Sequence, residues 1–379
     1  MSLYTLIFNH EEFQRYYNCS TYDVNEIPVE DRRGIGIGIL YIGIGIFIEV
    51  IYLPCLWAIW RLMDKRDSEC YRLMFILGVI DCSSIVINAF LVGYSTIAGD
   101  MYCSHPGYML LRSMTGNSLW LAENYTIVLL AVNRCWSLLQ PYFRSPKIFQ
   151  PSRNNSISWN PHRYKGVKYT VAWLAFPVAG TLFILWTSPL YYFNSIDANM
   201  RPNPHAYYLP EDEYYYTGYQ AQFNWFIFVS IATIYTVFLL CFGWKIYQSG
   251  LGTLRNTKGL GRNLNIFMQV FITSVFAAIS ALGFIYVHIF AEISHIHFAL
   301  VLVYQGSPAM IYLCLNKGVR RTIMERLMDI NFPFTNFLCI SPSKRDSQTT
   351  FVLSILNPKE HDQKFFIRKF SVRSTIHIC

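Results

Sequence analysis

Gly34-Ile35-Gly36-Ile37-Gly38-Ile39-Leu40-Tyr41-Ile42-Gly43-Ile44-Gly45-Ile46 is the stretch whose reading decides the fold. Its period of two and its β-branched residues suit a strand. The apolar run around it covers 34–60, far longer than an ordinary strand. An open strand in lipid also leaves its backbone donors and acceptors unanswered. The run therefore reads as a spanning helix whose small residues admit a close neighbour. A span needs about 20 mostly apolar residues. Seven segments qualify: 34–60, 73–98, 107–138, 169–190, 222–244, 264–290 and 296–315. The last four carry no Asp, Glu, Lys or Arg, the first two carry Glu49 and Asp81, and the third carries Arg112, Glu123 and Arg134. Composition agrees. Charged residues are 14% of the chain, against roughly 25% in soluble proteins. Aromatic residues at 17% exclude a disordered chain, and ten Cys in 379 residues are too sparse for a disulfide scaffold. Residues 1–33 are polar, without the apolar core of a secretory signal, so the first helix is expected to direct insertion.

The charges give a direction. With the N-terminus outside, the outer segments 1–33, 99–106, 191–221 and 291–295 hold 4 Lys and Arg, and the inner segments 61–72, 139–168, 245–263 and 316–379 hold 25. Basic residues in short loops stay on the cytoplasmic side. The expected organisation is an outer arm over 1–33, a seven-helix domain over 34–316 and a cytoplasmic tail over 317–379. The formal net charge of +8 then belongs to a membrane face and not to a nucleic-acid footprint. No helix pair repeats another, so an inverted-repeat transporter is not supported.

Several motifs follow in order: Asn18-Cys19-Ser20 in the arm, Tyr52-Leu53-Pro54-Cys55-Leu56 after Glu49, Cys70-Tyr71-Arg72-Leu73-Met74-Phe75-Ile76-Leu77-Gly78-Val79-Ile80-Asp81 opening helix two, Ala131-Val132-Asn133-Arg134-Cys135 closing helix three, and Gly306-Ser307-Pro308-Ala309-Met310-Ile311-Tyr312 in helix seven. Together, over about 17–330, the chain resembles the nematode serpentine receptor class T chemoreceptors. The resemblance implies an all-α, seven-transmembrane-helix bundle of rhodopsin-like architecture in the plasma or ciliary membrane of sensory neurons. Its implied partners are an external small-molecule ligand, a heterotrimeric G protein and the lipid bilayer. The segment 144–165, rich in Asn, Ser and Pro, departs from this pattern and reads as an unstructured insert. The tail beyond 318 also lies mostly outside it.

Cys19 and Cys103 are the cysteines expected outside, and the second outer loop, 191–221, has none, so the usual link from helix three to that loop is impossible here. They form either a bridge, worth about 2–4 kcal/mol for so long a loop, or two free thiols. Asn18 heads a glycosylation sequon on the same side. Glu49, Asp81 and Glu123 each lie roughly 16–22 Å above the inner end of their helices, near mid-membrane. A carboxylate there costs about 2.5–3.5 kcal/mol and must be protonated, paired or ion-bound. With Ser307 the three acids form either an ion- or proton-responsive hub or a set of neutral carboxyls hydrogen-bonded to Asn88, Asn124 or Ser307. Arg134 closes helix three where rhodopsin-like receptors carry Asp/Glu-Arg-Tyr. The resemblance implies a G-protein-coupling role, the alternative being a snorkelling, topology-setting arginine. Pro308 and Tyr312 occupy the place of the Asn-Pro-x-x-Tyr motif, with a proline kink that brings Tyr312 inward as a switch. Near 318–330, Val319, Ile323, Leu327 and Ile330 space out an amphipathic interfacial helix.

The second outer loop, with Tyr207, Tyr208, Tyr214, Tyr215, Tyr216 and Tyr219 beside Glu211, Asp212 and Glu213, suits an aromatic pocket with acidic rims or an interfacial girdle. His288, Glu292, His295 and His297 cluster without a defined fourth ligand, and no metal is expected. No phosphate loop, Gly-x-Ser-x-Gly or Cys-x-x-Cys occurs, so neither an enzyme nor a cofactor is expected. The alternative function is an ion channel or proton/ion-coupled transporter along Glu49, Asp81 and Glu123. The orientation predicts that an epitope tag at the N-terminus is reached by antibody on intact cells and one at the C-terminus only after permeabilisation. Tags reached from one side together overturn the odd number of spans.

Overall fold

The computed structural model describes residues 3–66, 69–139, 162–210, 212–215, 219–249, 260–286 and 294–331. Two short helices, α1 (Leu3–Phe8) and α2 (His10–Tyr17), and a single turn α3 (Val29–Arg32) precede the long elements. Then come α4 (Ile35–Arg66), α5 (Glu69–Ile85) continued through a π turn into α6 (Val92–Ala98), α7 (Pro106–Leu139) and α8 (His162–Thr187). A hairpin of β1 (Tyr192–Asn194) and β2 (Asn199–Arg201) follows. The chain closes with α9 (Tyr219–Ser249), α10 (Leu260–Tyr286), α11 (Ser294–Leu315) and α12 (Lys317–Asn331). Counting α5, the π turn and α6 as helix two, seven long helices are present among the described residues. They belong to one compact unit, Met1–Ile323; of the second, Met324–Cys379, the described residues are the last turns of α12.

Among the described residues, four helices are long and apolar enough to cross a membrane: Ile35–Met63, Cys70–Ala98, Ala221–Trp244 and Phe298–Leu315. Shorter apolar stretches are Trp173–Thr187 and Phe267–Gly283. The third helix carries Arg112, Glu123 and Arg134 along its length. The unit pairs an apolar core with an apolar exterior and keeps a set of polar side chains inside. Val50, Phe183, Leu239 and Leu240 are exposed, while Asp81, Asn88, Glu123, Asn133 and Gln305 are buried. That is the arrangement lipid selects, because hydrocarbon penalises outward polar groups and tolerates outward leucine.

The glycine-isoleucine stretch resolves into two helical faces. A Cβ on Gly38 would stand 2.5 Å from the carbonyl oxygen of Gly93, and one on Gly93 would stand 2.9 Å from that of Gly38. Gly36 and Gly43, seven residues apart, would meet nothing within 4 Å. The period of two in the sequence thus hides a helical repeat in which one set of glycines brings α4 and α6 into backbone contact. The hairpin was not expected. Its strands are three residues each, without a glycine turn, and the turn is closed by Ala198 at φ 48°. At the other end Asn316 caps α12, its side-chain oxygen accepting from Gly318 N at 3.0 Å and Val319 N at 3.2 Å.

Alanine favours a helix over glycine by about 1 kcal/mol, so the contact face can be read by sign. Gly43→Ala is expected to leave the melting temperature of the purified protein unchanged or raised, whereas Gly38→Ala and Gly93→Ala each destabilise it by roughly 1–3 kcal/mol through overpacking. Equal effects at Gly38 and Gly43 would discard the close contact.

Candidate functional site

The site has a polar core inside the bundle and a cap at one end. The core begins at Asp81 of α5 and Glu123 of α7, 0% and 1% exposed. Tyr52 of α4 donates its hydroxyl proton to Asp81 Oδ2. Asn88 Nδ2 donates to Gln305 Oε1 at 3.3 Å, and Gln305 Nε2 donates to Glu123 Oε2 at 3.2 Å. This chain joins helices two, seven and three. Asn88 belongs to the π turn Val86–Leu91. Asp81 Oδ1 and the hydroxyls of Ser84, Ser307 and Tyr312 are buried without a hydrogen-bond partner.

Glu49 stands elsewhere. It is half-buried on α4 with Cys82 as its polar neighbour, and no hydrogen bond links it to Asp81 or Glu123. Ser307 and Pro308 lie inside α11, and Tyr312 is 1% exposed one turn further. Asn88 is one of the amides expected beside the acids, Tyr52 belongs to a quoted motif without an assigned role, and Gln305 is new. Gln305 carried a signal, being the lone amide in the apolar run 296–315. The partners in space carried none.

At the far end of α7, Asn133 is buried and its side-chain oxygen accepts from Arg134 Nε at 3.2 Å and Nη2 at 2.7 Å. The position that lacks an acid is therefore occupied by a neutral acceptor that holds the guanidinium side-on. Asn316 Nδ2 donates to Gln269 Oε1 at 3.2 Å, tying the end of α11 to α10.

The cap is built from the arm and the hairpin. A disulfide joins Cys19 to Cys103, with Cα atoms 5.4 Å apart, across 84 residues of sequence. Asn18, its neighbour, ends α2 and accepts from Ser20 N at 3.0 Å. The loop tyrosines are taken up by the arm: Tyr214 stacks on Tyr16 at 3.7 Å, and Tyr208 stacks on Tyr22 at 4.4 Å. Tyr17, Tyr102 and Tyr192 meet in a buried cluster. Burial pushes the Tyr17 and Tyr192 hydroxyls well up, and that of Tyr102 up to about 12, so all three stay neutral. Burial also raises the Asp197 carboxyl, although Arg201 pairs with it at 2.5 Å.

His205 fastens these pieces. Its Nε2–H donates to the Tyr16 carbonyl at 3.0 Å, which fixes Nδ1 as the acceptor of the Tyr22 hydroxyl, also at 3.0 Å. Below the cap, Arg112 of α7 is 2% exposed, with Phe193 of β1 over its guanidinium at 4.8 Å. A cation–π contact of this kind is worth roughly 0.5–2 kcal/mol. Beside α7, Asn117, Trp120, Ile184, Ser188, Leu190 and Phe223 line a cavity of about 30 Å³, room for about one water. Tyr216, Glu211, His288 and Glu292 lie outside the described residues, as do most of the insert and the side chains of Tyr219, His295 and His297.

The family model for "Serpentine type 7TM GPCR chemoreceptor Srt" matches residues 1–333. A Caenorhabditis elegans protein, serpentine receptor class T-55, is 23% identical over 320 residues, 82% of this chain and 80% of its own. Among solved structures, squid rhodopsin superposes with a TM-score of 0.50 at 11% identity, covering 78% of this chain and 87% of that one. That likeness speaks to the fold alone.

The cap has a pH dependence of predictable sign. Burial holds His205 below its ordinary value, about 6.5. Tyr16, Tyr22, Tyr102 and Cys103 face it and none of them supplies a charge. The closed cap thus binds fewer protons than the opened one, so closure is fully favoured above about pH 6.5 and weakens as pH falls through it. Arm amides are expected to lose hydrogen-exchange protection between about pH 7.5 and about pH 5.5, after correction for intrinsic rates. His205→Gln is expected to flatten the change. Equal protection at both pH values would remove His205 as the fastener.

Proposed function

Because this chain belongs to the serpentine class T chemoreceptor family and is a multi-pass membrane protein, we propose that it detects an external small molecule and activates a heterotrimeric G protein. The observation that carries the reading is the buried relay Asn88–Gln305–Glu123, which joins three helices midway between the cap and Arg134. Such a relay stores two arrangements, because its groups must either be satisfied together or exchange partners together. A ligand that favours one arrangement shifts the population of both ends. The imbalance of 4 against 25 basic residues supports an N-terminus outside and a C-terminus in the cytoplasm. In that orientation the Cys19–Cys103 bridge pins the arm over the ligand side, Asn18 is available for glycosylation, and Arg134 faces the G protein. Pro308 and Tyr312 provide the switch in helix seven beside Asp81 and Ser307, and the host membrane is the plasma or ciliary membrane of a sensory neuron.

The position of Glu49 weighs against a conduction path. A channel through Glu49, Asp81 and Glu123 needs the three acids on one route; Asp81 and Glu123 are in electrostatic range of each other, whereas the polar neighbour of Glu49 is Cys82.

Ligand-dependent nucleotide exchange on a purified G protein tests the reading, and ligand-gated current in a G-protein-free bilayer would contradict it. Gln305→Leu leaves Glu123 without its amide partner, a loss of about 1–3 kcal/mol. Basal exchange is expected to change by roughly 5-fold or more. Asn133→Asp strengthens the hold on Arg134 and is expected to lower basal exchange. Basal rates equal to wild type in both variants would discard the relay and the Arg134 restraint as parts of the switch.

A further inference from the structure

Arg112 sits in the second turn of α7, buried, with one edge of its guanidinium unused. Nη1 donates to Ser95 Oγ at 3.2 Å, while Nε and Nη2 make no hydrogen bond. Those two nitrogens share one edge of the planar group, the edge whose spacing matches both oxygens of a carboxylate. Among the described residues no carboxylate pairs with it. The Asp100 carboxylate lies in electrostatic range and the Tyr108 side chain near hydrogen-bonding reach, but neither meets Nε or Nη2 in hydrogen-bond geometry. Phe193 lies over it at 4.8 Å and the Tyr108 ring at 5.9 Å. An aromatic face offsets part of the lost hydration of a cation but leaves its N–H groups unanswered. A buried charge in that state is the exception in folded proteins, where partners are the rule.

We propose that Arg112 anchors the ligand, and that the ligand is a small organic acid whose carboxylate takes the Nε–Nη2 edge while its apolar part lies against Phe193 and Tyr108. The assignment rests on the receptor reading, since it places the ligand under the cap at the end opposite Arg134. A carboxylate fits better than a phosphate. It is planar, and it brings one negative charge to one guanidinium that already has Asp100 in range.

The test uses the full chain in lipid nanodiscs, with thermal unfolding read against acetate and phenylacetate and against their neutral counterparts acetamide and phenylacetamide. Potassium chloride holds the ionic strength constant. The wild type is expected to show a saturable rise in melting temperature with the two carboxylates and none with the amides. Arg112→Gln is expected to lose at least about tenfold in apparent affinity. Arg112→Lys keeps the charge without the two-pronged edge and is expected to bind several-fold more weakly, so it carries the test where Arg112→Gln does not fold. No carboxylate effect in the wild type, an equal effect of the amides, or undiminished binding by the folded variants overturns the proposal. Nucleotide exchange measured on the same preparation keeps the two readings apart: carboxylate binding that depends on Arg112 without any exchange removes the coupling and leaves the anchor, and exchange by a protein indifferent to carboxylates removes the anchor alone.

Discussion

Lipid offers no hydrogen bonds, so every polar group carried into a bilayer has to be answered by another part of the same chain. The structure follows from that rule. Backbone groups are answered within helices, which is why the glycine-isoleucine stretch is helical against its own β-branched composition. Side chains are answered across helices, which is why Tyr52 reaches Asp81 and Gln305 bridges Asn88 to Glu123. The alternative, an acid or amide turned to hydrocarbon, costs more than any packing gain those residues offer in return.

The cap obeys different physics. It is an aromatic and covalent assembly in which the arm, the hairpin and the loop after helix two are mutually dependent. Stacked tyrosines supply area, His205 supplies two directed hydrogen bonds, and the disulfide limits how far the arm departs. Phe193 connects the cap to the bundle by resting on Arg112.

Much of this was legible before any coordinates. Seven apolar runs, their charge asymmetry and the depth of the acids are one-dimensional properties, and periodicity reports them directly. What stayed hidden is what depends on which faces meet. The sequence shows five glycines in the stretch but not that Gly38 and Gly36 look in different directions. It places Asp81, Glu49 and Glu123 at similar heights without revealing that Glu49 meets Cys82 while Asp81 and Glu123 share a neighbourhood. Arg112 reads as a mere charge in helix three until Phe193 is seen above it. The hairpin escaped because its turn has no glycine and its left-handed residue is Ala198, a position no turn rule would select.

The π turn in helix two has a broader consequence. Each residue of a helix advances the azimuth by about 100°, and the bulge at Val86–Leu91 inserts an extra step. Helix two is thus two helices out of phase sharing one axis. The half before the bulge is indexed to Tyr52 through Asp81; the half after it is indexed to Gly38 through Gly93 and to Arg112 through Ser95. A one-residue deletion inside the bulge would leave the helix intact and the half before it in place while swinging Gly93 and Ser95 off their neighbours together. Related chains that differ by one residue there should therefore be aligned with a gap, and the halves that follow it compared as separate modules.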